Sequence, residues 1–471
     1  MKVKLLTILM MVFMMIACES LNSSESSTYP IVDTNQGLTY DNSEQIDPPA
    51  EGEAFYGPDA QYTGLTPSYT DNEDGTVLDN ITELMWTQDL SEMSMTWEEA
   101  GEYCETFEYA GYDDWRLPTL KELWSIRDFS QGWPWVDTDY FYLVGDGSDQ
   151  RQQHSWSSNA YLVKSEYQNE QVIGSPAFIV NDWTGHIKAM SGNRFVRAVR
   201  GNTYGINEFV DNGDDTISDE ATGLMWSKDD SGEAMDWEAA LAYAEGSDYA
   251  GYDDWRLSNA KELQSLADYS GIFPVIDISV FNLTELTNIK GQTDYPFYWS
   301  STSNPVESSD GAVDNGSVYA WVLAAGYNTD PDGNDLHGAG SVVFTPKSEE
   351  NFTERDPEIH RYNYVRLVRG GNVTETPNGD PFCVDEDRVV SFPDGDVGNG
   401  GGGEGGPDFS PGVEYLATLG ITVTTEELVA IIGGPPAPTA SELVANFAAF
   451  DATIVITEAQ AQALLDVLNL Q

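Results

Sequence analysis

Short runs of alternating apolar and polar residues, closed by tight turns, mark the middle of the chain. Tyr69-Thr70-Asp71-Asn72-Glu73-Asp74-Gly75-Thr76-Val77 reads as strand, turn, strand. The period then changes. Trp97, Ala100, Cys104 and Phe107 fall at helical spacing, and Thr96 with Glu99 forms a capping box that predicts the helix start. A second helix opens at Thr119, with Glu122 three residues on and Leu120, Leu123 and Trp124 on its buried face. Short apolar strands follow at Trp156-Ser157-Ser158, at Ala177-Phe178-Ile179-Val180 and at Phe195-Val196-Arg197-Ala198-Val199-Arg200-Gly201. Two helices followed by short strands indicate an α+β domain, with the helices packed on an antiparallel sheet.

The whole pattern occurs twice. Trp86, Trp97, Gly111, Trp115, Arg116, Glu122, Asp128 and Pro134 return as Trp226, Trp237, Gly251, Trp255, Arg256, Glu262, Asp268 and Pro274, each pair 140 apart (226 − 86). The turn returns over Phe209 to Ile217, Asp236 takes the first cap position, and Asn259 with Glu262 opens the second helix. The final strand returns as Tyr364-Val365-Arg366-Leu367-Val368-Arg369-Gly370. A period of this length is a domain, not a solenoid turn. Two tandem domains are expected, at 54–202 and 203–372.

The flanks differ in composition. Lys2 and Lys4 precede an apolar run from Leu5 to Ala17, which reads as a secretory signal over 1–17, too short to span a bilayer. Met15-Ile16-Ala17-Cys18 resembles a bacterial lipobox, which makes Cys18 the expected lipidation site and lipid the expected membrane anchor. Glu19 after it favours the outer membrane surface within the cell envelope. Residues 18–53, rich in Ser, Asn, Asp and Pro, read as a flexible tether, and 373–411 as a Gly-rich linker. Residues 412–471 carry capping boxes at Thr424/Glu427, Thr439/Glu442 and Thr457/Gln460 and predict a small helical module. Such a module is either an autonomous mini-domain or a docking element for self-association or a secretion partner. Cys104 and Cys383 are the other cysteines; one bridge or two thiols are equally compatible with the sequence.

Charge narrows the partners. The chain has 79 acids against 21 bases, a net charge of −58 spread through both repeats. Such a surface repels nucleic acid and other polyanions and is also what a salty medium tolerates.

Gly57-Pro58-Asp59-Ala60-Gln61-Tyr62, Gly223-Leu224-Met225-Trp226, Gly111-Tyr112-Asp113-Asp114-Trp115-Arg116-Leu117-Pro118, Tyr298-Trp299-Ser300-Ser301-Thr302 and the Val-Arg strands closely resemble the Lcl C-terminal domain family. The resemblance covers 54–372 and implies an exported bacterial surface protein. The family is named for the end of a collagen-like adhesin that binds sulfated glycosaminoglycans. A net charge of −58 argues against that ligand here and for a neutral glycan or a cation-bridged ligand. Ala198 and Leu367 stand where the family's final strand carries Cys, so Cys104 lacks the partner the resemblance implies. A second resemblance, of fold alone, links the Arg-Leu-Pro-Thr run and the following helix to C-type-lectin-like and formylglycine-generating-enzyme folds.

Candidate sites are few. The repeated arginines Arg116, Arg197, Arg200, Arg256, Arg366 and Arg369 are expected in bidentate pairs with acids such as Asp113 or Asp253, and the repeated tryptophans in the core. Trp133 and Trp135, flanking Pro134 in a loop, are the candidate sugar platforms, since the second copy has Phe273 and Val275 there. The second copy holds 26 extra residues before its final strand (169 − 143). They include Asn328, Asp330, Asp332 and Asn334, oxygen ligands at alternate positions around Gly333 at position six, which match the first half of a calcium loop. Ala339 sits where the closing acid belongs. No His-Glu-x-x-His, Cys-x-x-Cys, Gly-x-Ser-x-Gly or phosphate loop is present, and the four histidines are not repeated, so no enzyme is expected. The expected function is adhesin-like binding of a glycan or surface protein. The alternative is a calcium-stabilised structural component of the envelope or matrix.

Overall fold

The computed structural model describes residues 28–130, 132, 134–144, 153–163, 177–304, 316–329, 332–351, 362–375 and 457. It separates a unit of residues 1–308 and 314–390 from one of 309–313 and 391–471. Cys18, Cys383 and, Thr457 apart, the helical module over 412–471 lie outside the described residues.

Each copy opens with the expected hairpin and a third strand: β1 (Tyr69–Asp71), β2 (Thr76–Asp79) and β3 (Met85–Thr87). Helices α1 (Trp97–Thr106) and α2 (Leu120–Ser125) follow, both with reciprocal capping boxes, at Thr96/Glu99 and Thr119/Glu122. Then come β4 (His154–Ala160), β5 (Ala177–Asn181), β6 (Ile187–Met190) and β7 (Val199–Arg200). The second copy runs β8 (Phe209–Asp211), β9 (Thr216–Asp219), β10 (Leu224–Ser227), α3 (Trp237–Glu245), β11 (Arg256–Leu257) and α4 (Ala260–Ser265). It ends with β12 (Phe297–Ser303), β13 (Tyr319–Ala324), β14 (Val342–Pro346) and β15 (Leu367–Gly370). Registers match between copies: Val77 faces Trp86 as Ile217 faces Trp226, and Trp86 faces Val199 as Trp226 faces Val368. The class is α+β and the pairing within these sheets is antiparallel, as the sequence pattern indicates.

The copies do not fold as two beads. Each contributes three strands to one six-stranded sheet, ordered β12-β13-β14-β6-β5-β4 and joined where Val342 of β14 faces Ile187 of β6. The Ala189 amide also donates across this seam to the His337 carbonyl at 2.7 Å. Under the sheet the copies exchange aromatic rings. Trp321 of the second copy packs edge-to-face on Trp124, Phe129 and Trp135 of the first, at 6.0, 5.5 and 4.9 Å between centroids. Phe178, its counterpart, packs on Tyr269, the counterpart of Phe129, at 5.1 Å. The short helices exchange lysines in the same way. Lys121 of α2 donates to the Ser265 carbonyl ending α4 at 2.7 Å, and Lys261 of α4 donates to the Ser125 carbonyl ending α2 at 2.9 Å. A cation at a helix C-terminus satisfies orphan carbonyls and complements the dipole. Burial pulls both ammonium groups down to about 8.

Two expected boundaries change. Residues 28–53 are not a tether: Tyr29, Val32, Thr34, Gln36, Thr39 and Tyr40 are buried. The Tyr29 amide bonds Ala221, Val32 bridges Leu65, Gln36 donates to the Ser303 carbonyl at 2.7 Å, and Lys261 donates to the Asp33 carbonyl at 2.8 Å. This N-terminal arm, residues 28–53, stays in place because its buried polar groups find partners. The linker expected from 373 likewise begins with a strand, Thr374–Glu375, paired antiparallel with Tyr62–Thr63.

Candidate ligand cleft

The repeated arginines and tryptophans are structural. Arg116 and Arg256 grip Glu122 and Glu262 bidentately, all four contacts at 2.6 Å. Each glutamate also caps its own helix, so one carboxylate fixes both the Trp-Arg strand and the helix after it. Arg200 and Arg369 bind Asp114 and Asp254, not Asp113 and Asp253, on the segment that follows a left-handed turn at Ala110-Gly111 and Ala250-Gly251. Their guanidinium groups lie over Tyr112 and Tyr252 at 3.9 and 4.1 Å. Arg197 and Arg366 are fully buried and donate to loop carbonyls, at Tyr142 and Asn282 among others. In the first copy Asp182 adds a buried ionic bridge, 2.8 Å from Arg127 and 3.1 Å from Arg197. Its carboxyl sits below the ordinary range despite burial, because the two guanidinium groups outweigh desolvation.

The candidate sites from sequence fare differently. Trp133 lies outside the described residues. Trp135 is no sugar platform: it is 0% exposed, wedged against Phe129 and Trp321. Its loop position suggested exposure, but the seam between copies covers the loop. In the insertion, Asp330 lies outside the described residues, Asp332 is exposed and Asn334 half-buried. Asn328 is buried, and its side-chain amide donates to Ser341 Oγ at 2.9 Å. The turn is closed from within. Asp335 accepts the amides of Asn328 and Gly338 and the Tyr161 hydroxyl, at 3.1, 3.0 and 3.1 Å. Among the described residues no group of three or more His, Cys, Asp or Glu side chains is placed to hold a metal ion. Cys104 is buried beside Ala100 and Ala198, and burial pushes its thiol up to about 12.

A concave feature of ligand size lies on the second copy. A cleft of about 680 Å³ is floored by the outer face of α3, through Glu238, Ala242 and Glu245, and by the turn Asp253-Asp254-Trp255-Arg256. Its other walls come from outside the second copy: residues 51–56, Tyr62, Val373 and Glu375. Ligand cavities typically span about 300–1,000 Å³. Helix α3 turns Trp237, Ala240, Leu241 and Ala244 to the core, which leaves the glutamates facing the cleft. The wall is tied down by phenols. The Tyr62 hydroxyl donates to Glu245 Oε1 at 2.6 Å, the Tyr56 hydroxyl donates to Glu375 Oε1, and Phe55 lies 6.3 Å from the Trp237 ring.

The Gly57-Pro58-Asp59 run explains the close fit. Gly57 has φ +92°, and a Cβ there would fall 2.4 Å from Glu245 Oε1. Asp59 is buried and accepts the hydroxyls of Thr34 at 2.8 Å and Thr302 at 2.5 Å, which ties the arm to β12. Burial raises the Asp59 carboxyl, and Asp33 nearby adds to the rise. The cleft carboxylates feel one another: burial raises Glu245, and Glu375 and Glu51 push it further. No candidate site expected from the sequence covers this cleft, since residues 51–53 of its wall fall in the expected tether and Val373 and Glu375 in the expected linker. The available signal was the Gly-Pro-Asp run with its following Tyr62.

The fold, the repeated registers and the paired arginines converge with the family comparison. The model of the Lcl C-terminal domain matches residues 75–200 and 215–369, more than half of the chain. The chain belongs to the Lcl C-terminal domain family. No curated protein matches it. The two Lcl C-terminal domains thus share one sheet, and the cleft belongs to the second of them, completed by segments outside both matches.

Proposed function

We propose that this is a lipid-anchored bacterial surface protein that binds an extracellular ligand, a glycan or a surface protein, without catalysing a reaction. The observation that carries the reading is the cleft of the second Lcl C-terminal domain, ligand-sized and walled by Phe55, Tyr56, Tyr62 and Trp255. Aromatic walls with a few placed polar groups are how concave sites recognise small or extended ligands. Export and anchoring rest on the apolar run before Cys18, with the outer membrane surface as destination. No helix among the described residues is long and apolar enough to cross a membrane. A C-type-lectin-like arrangement of each copy rests on the Arg-Leu-Pro-Thr run and the helix after it.

The test is a glycan array and a surface-protein pull-down with the mature chain carrying Cys18→Ser, with and without calcium. The variant Ala242→Trp fills the cleft from an exposed helix position. The reading expects a ligand captured by the parent and lost in the variant; capture that survives Ala242→Trp contradicts it. A second reading, a calcium-stabilised structural component of the envelope, draws on the aromatic rings the copies spend on each other. Melting with and without chelator separates the two, because a bound ion raises the melting temperature.

A further inference from the structure

The cleft combines three features in one cavity: ligand-sized volume, aromatic walls and a strong excess of negative charge, seven acids to one base. Carboxylates enter it from four separate segments, with Glu51 and Glu53 on the arm, Glu238 and Glu245 on α3, Asp253 and Asp254 on the turn, and Glu375 on the closing strand. Among the described residues only Asp254 of these is ion-paired, to Arg369. The one basic lining residue, Arg256, is held by Glu262. The rings of Phe55, Tyr56 and Tyr62 stand among these carboxylates. Glu245 and Glu375 each accept a phenol, so their positions are set before any ligand arrives. The chain's own tail is a poor complement: beyond Glu375 its only basic residue is Arg388.

We propose that the cleft takes an organic cation, an alkylammonium or guanidinium group, presented either on a free amine or on a basic peptide side chain. This rests on the reading of the cleft as the ligand site. A quaternary, ammonium or guanidinium group gains both from a ring face and from convergent carboxylates, where a neutral or anionic group gains from neither in the same way. The cation also relieves the mutual repulsion of acids held on four segments. It contributes charge specificity that a purely aromatic sugar platform lacks.

The experiment is titration calorimetry on the mature chain with matched pairs: 1,8-diaminooctane against 1,8-octanediol, and an Arg-Gly-Arg peptide against its citrulline counterpart. The proposal expects the charged member of at least one pair to bind at least about tenfold more tightly, and which pair responds identifies a free amine or a peptide as the source. Glu245→Gln and Glu375→Gln should each weaken binding about tenfold, and Ala242→Trp, which keeps every carboxylate, should abolish it. Unchanged melting of the variants checks that the fold is intact. Equal affinity of charged and neutral members, or charged binding that survives Ala242→Trp, overturns the proposal. A neutral glycan that binds and is lost in Ala242→Trp, with no competition from the diamine or the peptide, overturns the cation while the ligand-site reading stands. Failure of every ligand at the cleft overturns both.

Discussion

Replacing Trp321 with alanine should destabilise both copies at once. The side chain is 0% exposed and touches Trp124, Phe129 and Trp135 of the first copy and His186 and Phe344 around the seam. Truncating a buried Trp costs about 3–5 kcal/mol, since the cavity adds to the lost transfer energy. Each edge-to-face aromatic pair is worth about 0.5–1.5 kcal/mol beyond burial, so five aromatic neighbours place the loss at the upper end. The indole N–H has no hydrogen-bond partner, so losing it returns only a little. Trp321→Phe, which copies Phe178 of the first half, should cost only about 1–2 kcal/mol. Urea unfolding followed by tryptophan fluorescence and near-ultraviolet circular dichroism reads both copies. The expected result is one transition, shifted as a whole. A loss below about 1 kcal/mol, or two steps with the first copy's step unmoved, would refute the shared interior.

Asp182→Ala leaves the guanidinium groups of Arg127 and Arg197 buried without a counter-charge and should cost about 3–5 kcal/mol in urea unfolding, whereas the second copy has Ala325 at that place and no such bridge. Burial pushes Asp294 and Asp335 up to about 6 from 3.8. A carboxyl raised in the folded state keeps its proton longer there, so stability should fall as pH rises from about 4 to 6. The acids held low by arginine, Asp114, Asp182 and Asp254, oppose this only below about pH 4; His186, kept neutral by burial, opposes it up to about pH 6.5, and Asp59, which burial raises to about 7, offsets that. A melting temperature higher at pH 4.5 than at 6.5 is expected, and the reverse order would contradict the assignment. Asp335→Ala should cost about 2–3 kcal/mol even in chelator, because its carboxylate satisfies two amides and a phenol; a loss seen only with calcium present would favour the ion instead.

The parts legible in the sequence were those set by local chemistry. Capping boxes at Thr96, Thr119 and Asn259, the hairpin turn at Asp74-Gly75 with its copy, and the helical faces of α1 and α3 follow from neighbouring residues alone, and the structure carries each of them. Bidentate pairing, expected of all six repeated arginines, holds for Arg116, Arg200, Arg256 and Arg369, with Glu122, Asp114, Glu262 and Asp254, whereas Arg366 donates to carbonyls. What escaped was the choice of partner surfaces. An apolar pattern says that Ile187, Ala189 and Trp321 are covered, not that the other copy covers them. Trp135 was misplaced for that reason.

The arm escaped for a different one. Val32, Thr34 and Gln36 are buried at alternate positions, as in an extended segment, but two of the three are polar. Their burial is possible because Thr34 reaches Asp59 and Gln36 reaches the Ser303 carbonyl, and hydropathy does not register a satisfied hydrogen bond. The cleft depends on that arm, so the site inherited its invisibility.

Native-state hydrogen exchange at the Ala189 amide tests the shared sheet most directly. That N–H crosses the seam to the His337 carbonyl at 2.7 Å, and β6 is an interior strand only because β14 lies beside it. The account predicts protection as high as at the central strands of either copy, with exchange through opening of the whole unit. Fast exchange at Ala189, with Val180 and Val322 still protected, would show β6 to be a free edge and the two copies to be separate folds.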